Sequence, residues 1–374
     1  MSASLRVALF LIAIFIPSAA ITGFQPLFLA DRGQSPAAIG QIMAIATMMR
    51  MLAMPLWGQL ADRLRRPRAV LSAAAALAAA FGLSWVPLQG YGPLLAATML
   101  YGACAAALMP MADAISLTLA RQGRLDYGTV RAIGSIGFMA SIAGSGWLIG
   151  QFGSGLVPWL VGLPYAVAAL FALALPDTAP LAAAPAGGLR LLSLRPVRLA
   201  IAGSALLQGS HAALYGLASL HWRNHGLSER VIGLLWAEGV LAEIMLFFAG
   251  RHFAARLGPA GLIAGASVAA LVRWSVTAGT TALPALVAVQ ALHGATYAMT
   301  HLAAMLLLSR AIPPERAAAA QTLHAALRAA LPTGVLMWVT GQLYDGTGAV
   351  FLIMAGLGAL ALPVAWRISR LPAA

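Results

Sequence analysis

Lysine is absent from the 374-residue chain, cysteine occurs once, and only ten residues are acidic. Each shortage removes a class of function. Without lysine there is no Gly-rich phosphate loop ending in Lys, so the chain alone is not an ATP-driven pump. The lone Cys104 sits in an apolar run, which excludes an intramolecular disulfide and argues against a cysteine-based metal site. No nucleophile–base motif marks an enzyme. Charged residues make up 9% of the chain, against about a quarter in a soluble domain. The alternative from another class is a non-transporting membrane receptor or sensor, which typically carries an appended soluble domain, and none is expected here. What is present is 61% hydrophobic, with a mean hydropathy of +0.86. The apolar runs are long and rich in Ala, Leu and Gly, without the ten-residue alternation of a transmembrane strand. An all-α polytopic membrane protein is expected, with spans of about 20 residues or more.

Twelve spans are read at about 5–30, 37–61, 69–87, 92–120, 128–151, 157–175, 198–222, 230–250, 259–279, 283–310, 318–343 and 348–368. Arg6, the run after it, Ser18 and Ala20 imitate a secretory signal, but Gln25 and the turn beyond have later counterparts, so the first span is read as uncleaved. Residues 177–197 are Ala/Pro/Gly-rich and then basic. They read as a cytoplasmic linker between six-helix bundles at 1–176 and 198–374. The net charge is +13 and all 23 basic residues are arginine. Most sit in the short connections, the pattern of membrane topology rather than of nucleic-acid binding. With the N-terminus inside, sixteen arginines are cytoplasmic and Arg32, Arg223 and Arg230 are external, so both termini are expected in the cytoplasm. Arg50, Arg131, Arg273 and Arg328 fall within spans.

The halves repeat. An offset of 193 residues lays Gly23, Leu27, Gly33, Ser35, Ile39 and Gly40 on Gly216, Leu220, Gly226, Ser228, Ile232 and Gly233. Parallel six-span repeats are the major facilitator pattern. The same offset puts Arg50 on Glu243.

Glu238 and Glu243 lie in the apolar stretch Leu234–Gly250. An ionised acid there costs at least ~2.5–3.5 kcal/mol, so it is a functional candidate. Glu243 is read as the proton-handling group. Other polar residues form stripes: Gln208, His211 and Tyr215; His293, Tyr297 and His301; His324 and Arg328. Their spacing puts each set on one helical face, pointing inward. His293 and His301 are two turns apart, too far for the usual i, i+4 metal pair, so no metal is expected. For an anionic solute, Arg131 or Arg273 is the favoured grip, with Asp113 pairing with an Arg when the site is empty. Tyr215, Trp236 and Trp274 offer aromatic faces.

Gly58-Gln-Leu-Ala-Asp62-Arg63-Leu-Arg65-Arg66-Pro67-Arg68 resembles the major facilitator signature Gly-x-Leu-Ala-Asp-Arg-x-Gly-Arg-Arg. Arg65 replaces the second glycine, and Pro67 departs as well. Gly58 is expected to allow close helix approach. Asp62, Arg63 and Arg66 would make contacts that hold one conformation and break in the other.

A closer resemblance lies in Pro110-Met-Ala-Asp113, in Leu125–Gly137 with Arg131, and in Leu207-Gln208-Gly-Ser-His211-Ala-Ala-Leu-Tyr215-Gly216. It continues through Trp236 to Glu243, Leu271-Val-Arg273-Trp274, Gln290-Ala-Leu-His293-Gly294 and His301–Met305. These blocks look like the 3-phenylpropionate permease family, close to the nucleoside and lactose permeases. In the lactose permease family an acid of span eight, an Arg of span nine and a His of span ten belong to the coupling network. Glu243, Arg273 and His293 match in type and span. The acid that follows the His there is missing, with Thr296 and Tyr297 in its place, so His301 or Glu238 is a candidate for proton release.

The resemblance implies a proton-coupled symporter importing a small organic solute, with an aromatic carboxylate such as 3-phenylpropionate in the lead. Arg131, Asp113, Gln25, Gln208, His211, Tyr215, Trp274, Tyr297 and Arg328 are the candidate substrate contacts. A sugar or nucleoside symporter is the alternative. A drug/proton antiporter ranks lower because the glycines of span five have no accompanying proline. A monomer in a bacterial inner membrane is expected, with the proton gradient and no bound cofactor as its energy source.

Overall fold

The computed structural model describes residues 2–176, 188–313, 316–325, 327–328 and 331–372. Those residues are mostly helical, with no strand among them. Ten stretches are long and apolar enough to cross a membrane: Ala3–Asp31, Pro36–Leu64, Pro67–Ser84, Tyr91–Arg121, Tyr127–Phe152, Ser154–Leu173, Glu229–Gly250, His252–Gly279, Leu283–Ala311 and Val350–Ser369. Helices Arg195–Gly209 and Ser219–Asn224, and helices Ala317–Ala325 and Leu331–Leu343, stand where the sequence places the two remaining spans. The seventh span carries Gln208, Ser210, His211, Ser219 and His221, all buried.

Span edges follow local chemistry. The hydroxyls of Ser2 and Ser35 accept from the amides of Leu5 and Ala38, capping spans one and two. Asp126 caps span five by accepting from the Thr129 amide, and that bond holds its exposed carboxyl below the ordinary range. The seventh span starts at Arg195, three residues before the expected edge, because Pro196 suits a first helical turn. Most of the expected linker, 177–187, lies outside the described residues, and Gly188–Ser193 is a 3-10 turn. The helix of span eight runs past residue 250 to Gly258, whose φ of 61° and ψ of 180° divide it from span nine ahead of Pro259.

Two compact units emerge: Met1–Ala183 with Leu227–Ala237, and Ala184–Gly226 with Glu238–Ala374. Small residues let helices approach closely in each, as membrane packing requires. In the first, a Cβ on Gly82 would stand 2.8 Å from Val161 Cγ1, and one on Gly102 would stand 2.9 Å from the Ala46 carbonyl oxygen. In the second, a Cβ on Gly294 would come within 2.5 Å of the Ala242 carbonyl oxygen, locking span ten against span eight. Gly58 does not act this way. A Cβ there would meet nothing within 4 Å, so the close approach expected of it is not found.

The signature turn keeps a glycine-like conformation without the glycine. Arg65 is left-handed, with φ of 51° and ψ of 29°. Pro67 opens the next helix, where a missing amide costs nothing.

Candidate functional site

The second unit is built around Arg273, which is fully buried on span nine. Its Nη2 donates to Gln290 Oε1 at 2.5 Å. Its Nη1 lies 3.1 Å from Thr296 Oγ1, 3.0 Å from His293 Nδ1 and 3.4 Å from His211 Nε2. The guanidinium also lies over the Trp274 ring, 4.3 Å from its centre. That ring also stacks with Phe351 at 6.2 Å, and its Nε1 donates to Ser210 Oγ. Trp274 is therefore a structural platform, buried and occupied, rather than an open surface for a substrate ring. Arg273 likewise has its terminal donors engaged inside the protein, which argues against it as the carboxylate grip.

The partners fix both histidine tautomers. A guanidinium only donates, so His293 Nδ1 must accept and the neutral ring carries its hydrogen on Nε2. That nitrogen faces Glu243 Oε2 at 3.8 Å. His293 thus sits between Arg273 and Glu243. His211 is the mirror case. Its Nδ1 lies 2.9 Å from the Leu207 carbonyl, which only accepts, so Nδ1 carries the hydrogen and Nε2 accepts from the Thr296 and Arg273 side. Tyr215 stacks on His211 and Tyr297 on His293, with ring centres 6.1 and 5.8 Å apart.

The backbone explains this pairing. Leu214–Ala218 and Ala295–Met299 are π-helical, one in span seven and one in span ten. Such wide turns inside α-helices are frequent at functional sites. Both follow the same pattern, Gln208-x-x-His211-x-x-x-Tyr215 and Gln290-x-x-His293-x-x-x-Tyr297, offset by 82 residues. The offset was visible in the sequence and would have singled out Gln290. Ser210 and Thr296 left no comparable signal.

Other candidates lie apart from Arg273. His301 is edge-on to Phe247 at 5.8 Å. His324 Nε2 bonds Ser204 Oγ at 2.9 Å, and Arg328 Nη1 reaches Gln208 Oε1 at 3.5 Å. Glu238 is half-buried and makes no hydrogen bond or ion pair among the described residues.

In the first unit, Asp113 accepts from the Tyr127 hydroxyl at 3.5 Å and feels the charge of Arg131. The direct ion pair expected between Asp113 and an arginine is not seen among the described residues. Tyr127 stands in that place. Arg131 lies over the Phe15 ring at 5.5 Å, and its buried Nη1 lacks a hydrogen-bond partner, as does the Nε2 of buried Gln25. Arg50 is exposed. Asp62 is half-buried without a hydrogen bond or ion pair among the described residues, and Arg63 and Arg66 are exposed. Among the described residues, no three His, Cys, Asp or Glu side chains converge as a metal would need.

A sequence model of the MFS_1 like family matches residues 5–355. The chain belongs to this family of major facilitator transporters. It is 30% identical over 359 residues to the probable 3-phenylpropionic acid transporter of Escherichia coli (strain K12), covering 91% of this chain and 90% of that one. It is 29% identical over 360 residues to the maltose permease of Geobacillus stearothermophilus, covering 93% and 90%. Among solved structures, the nucleoside transporter NupG superposes with a TM-score of 0.85 at 15% identity, over 100% of this chain and 100% of that one. A bacterial homologue of the lysosomal transporter Spinster superposes with a TM-score of 0.78 at 14% identity, over 98% and 96%. The relatives are transporters of small organic solutes, not enzymes, and the fold is that of a multi-pass membrane transporter.

Proposed function

We propose that this transporter imports a small aromatic carboxylate of the 3-phenylpropionate kind together with a proton, and that Glu243 carries the proton. The observation behind this reading is the row Arg273–His293–Glu243. Arg273 holds His293 Nδ1 as an acceptor, so the neutral imidazole presents Nε2–H toward Glu243. A hydrogen-bond donor facing a carboxylate favours its charged form, and burial without that donor favours the neutral form. Movement of span eight against span ten changes the separation and so takes up or releases a proton. His293 thereby acts as a positioned neutral donor and need not become an imidazolium. The 30% identity to a 3-phenylpropionic acid transporter supports the substrate class. A sugar is the second reading, favoured by the similar identity to a maltose permease.

The test uses purified protein in liposomes loaded with a pH-sensitive dye. Adding 3-phenylpropionate should move protons inward faster than in protein-free liposomes, which report passive entry of the weak acid. Glu243→Gln should lose this proton flux and gradient-driven accumulation yet retain exchange of labelled for unlabelled substrate. Full proton flux in Glu243→Gln would remove Glu243 from the mechanism. Proton flux with maltose and none with the acid would replace the substrate and keep the coupling.

A further inference from the structure

Four arginines lie within spans, and their surroundings differ. Arg273 has its terminal nitrogens bonded internally, although its Nε, like Nη1 of Arg131, is buried without a hydrogen-bond partner among the described residues. Arg131 has the charge of Asp113 nearby and the Phe15 face against it. Arg50 is exposed. Arg328 is different. It is half-buried on span eleven and makes no ion pair among the described residues.

Its donors are unequally used. Nη1 reaches Gln208 Oε1 of span seven at 3.5 Å. Nε is buried and has no hydrogen-bond partner among the described residues. Nη2 makes no hydrogen bond among the described residues. Nε and Nη2 form the side-on fork of a guanidinium, the pair of parallel donors that fits both oxygens of one carboxylate. A buried donor without a partner is costly, and a buried cation without a counter-charge more so. The neighbouring ionisable groups do not supply that counter-charge. His301, His324 and Tyr215 are electrostatic neighbours of Arg328, and none of them is a carboxylate; Glu243 is a neighbour of Tyr215 as well. Glu243 is engaged with His293. Aromatic side chains are near at hand: Tyr215 is an electrostatic neighbour of Arg328, and Phe247 stands edge-on to His301, another such neighbour.

We propose that Arg328, steadied by Gln208, binds the carboxylate of the transported solute through its Nε–Nη2 edge. The inference rests on the reading that the solute is an aromatic acid, and it assigns the anion to span eleven rather than to Arg131 or Arg273. The site then divides its work. Arg328 holds the substrate's charge, while Arg273 and His293 govern the proton on Glu243.

The decisive measurement is the dissociation constant of the detergent-purified protein for 3-phenylpropionate and for its neutral analogue 3-phenylpropanol. The wild type should prefer the acid. Arg328→Gln should weaken acid binding on the order of 100-fold, the scale of truncating one partner of a buried charge pair. It should leave the alcohol nearly unchanged, which also shows that the variant folds. Arg328→Lys keeps the charge and loses the fork, so it should fall between the two. Retention of the wild-type preference in Arg328→Gln overturns the proposal and leaves the aromatic-acid reading standing. So does loss of that preference in Arg131→Gln alone. A wild type that does not distinguish acid from alcohol overturns the aromatic-acid reading and the proposal with it.

Discussion

Arg273 is surrounded by neutral partners, so its value lies in geometry more than in charge pairing. Gln290 is the partner whose removal isolates this effect. Gln290→Leu leaves the Nη2 donors unmet in a buried site, and an unsatisfied buried group costs about 1–3 kcal/mol. Unfolding in mixed micelles should show that loss, with a transition at lower denaturant than wild type. An unchanged midpoint would mean another acceptor takes over. At this scale the sequence was partly legible. Gln208, His211, Tyr215, His293 and Tyr297 announced themselves because polar groups at helical spacing in apolar spans must face inward. The tautomers were not legible, because they depend on which atom of another span stands opposite. The surroundings of Arg273 and Trp274 were not legible for the same reason. Residue type gives capacity to bind a carboxylate or a ring, and only the tertiary neighbours show that the capacity is already used.

At the scale of helices, the glycines divide into contact points and bystanders. Gly294→Ala would drive a methyl into the backbone of Ala242, one residue before Glu243. Spans eight and ten must then part, at a cost of about 1–3 kcal/mol for overpacking, and Nε2 of His293 must draw away from the carboxylate. Proton-coupled uptake should fall more than exchange does. Gly58→Ala should stay within about 0.5 kcal/mol of wild type, as open sites do. A thermal-unfolding comparison of the two variants checks the contrast directly. Span edges were readable from caps and prolines to within a few residues. The helical stretch beyond residue 250 was less so, since Arg251 and His252 look like a loop by polarity, yet only Gly258 adopts a conformation that ends the helix. The π-helical turns had no propensity signal of their own.

For the molecule as a whole, periodic apolar runs and the arginine distribution made the twelve-span fold legible before any coordinates. Sidedness is a further expectation from the same arginines, and it has a simple check. In a Cys104→Ala background, Gln89→Cys and Gln122→Cys place thiols at two exposed turns. A membrane-impermeant maleimide should label Gln89→Cys in intact cells and Gln122→Cys only after permeabilisation. The reverse pattern would invert the topology. The duplicated Gln–His–Tyr pattern has a consequence on this scale too. Major facilitator halves contain nested inverted repeats of three spans, and the 82-residue offset carries Glu243 onto Ala325 and Arg273 onto Ala355. The scaffold was copied, but the ionisable outlet was not. His293 opens onto an acid, while its twin His211 ends on the Leu207 carbonyl, which has no proton to give and none to keep. A carrier with two open ends would pass protons as an uncoupled leak. If Glu243 carries the proton as proposed, the blind end at His211 leaves it as the single station where cargo can regulate the crossing.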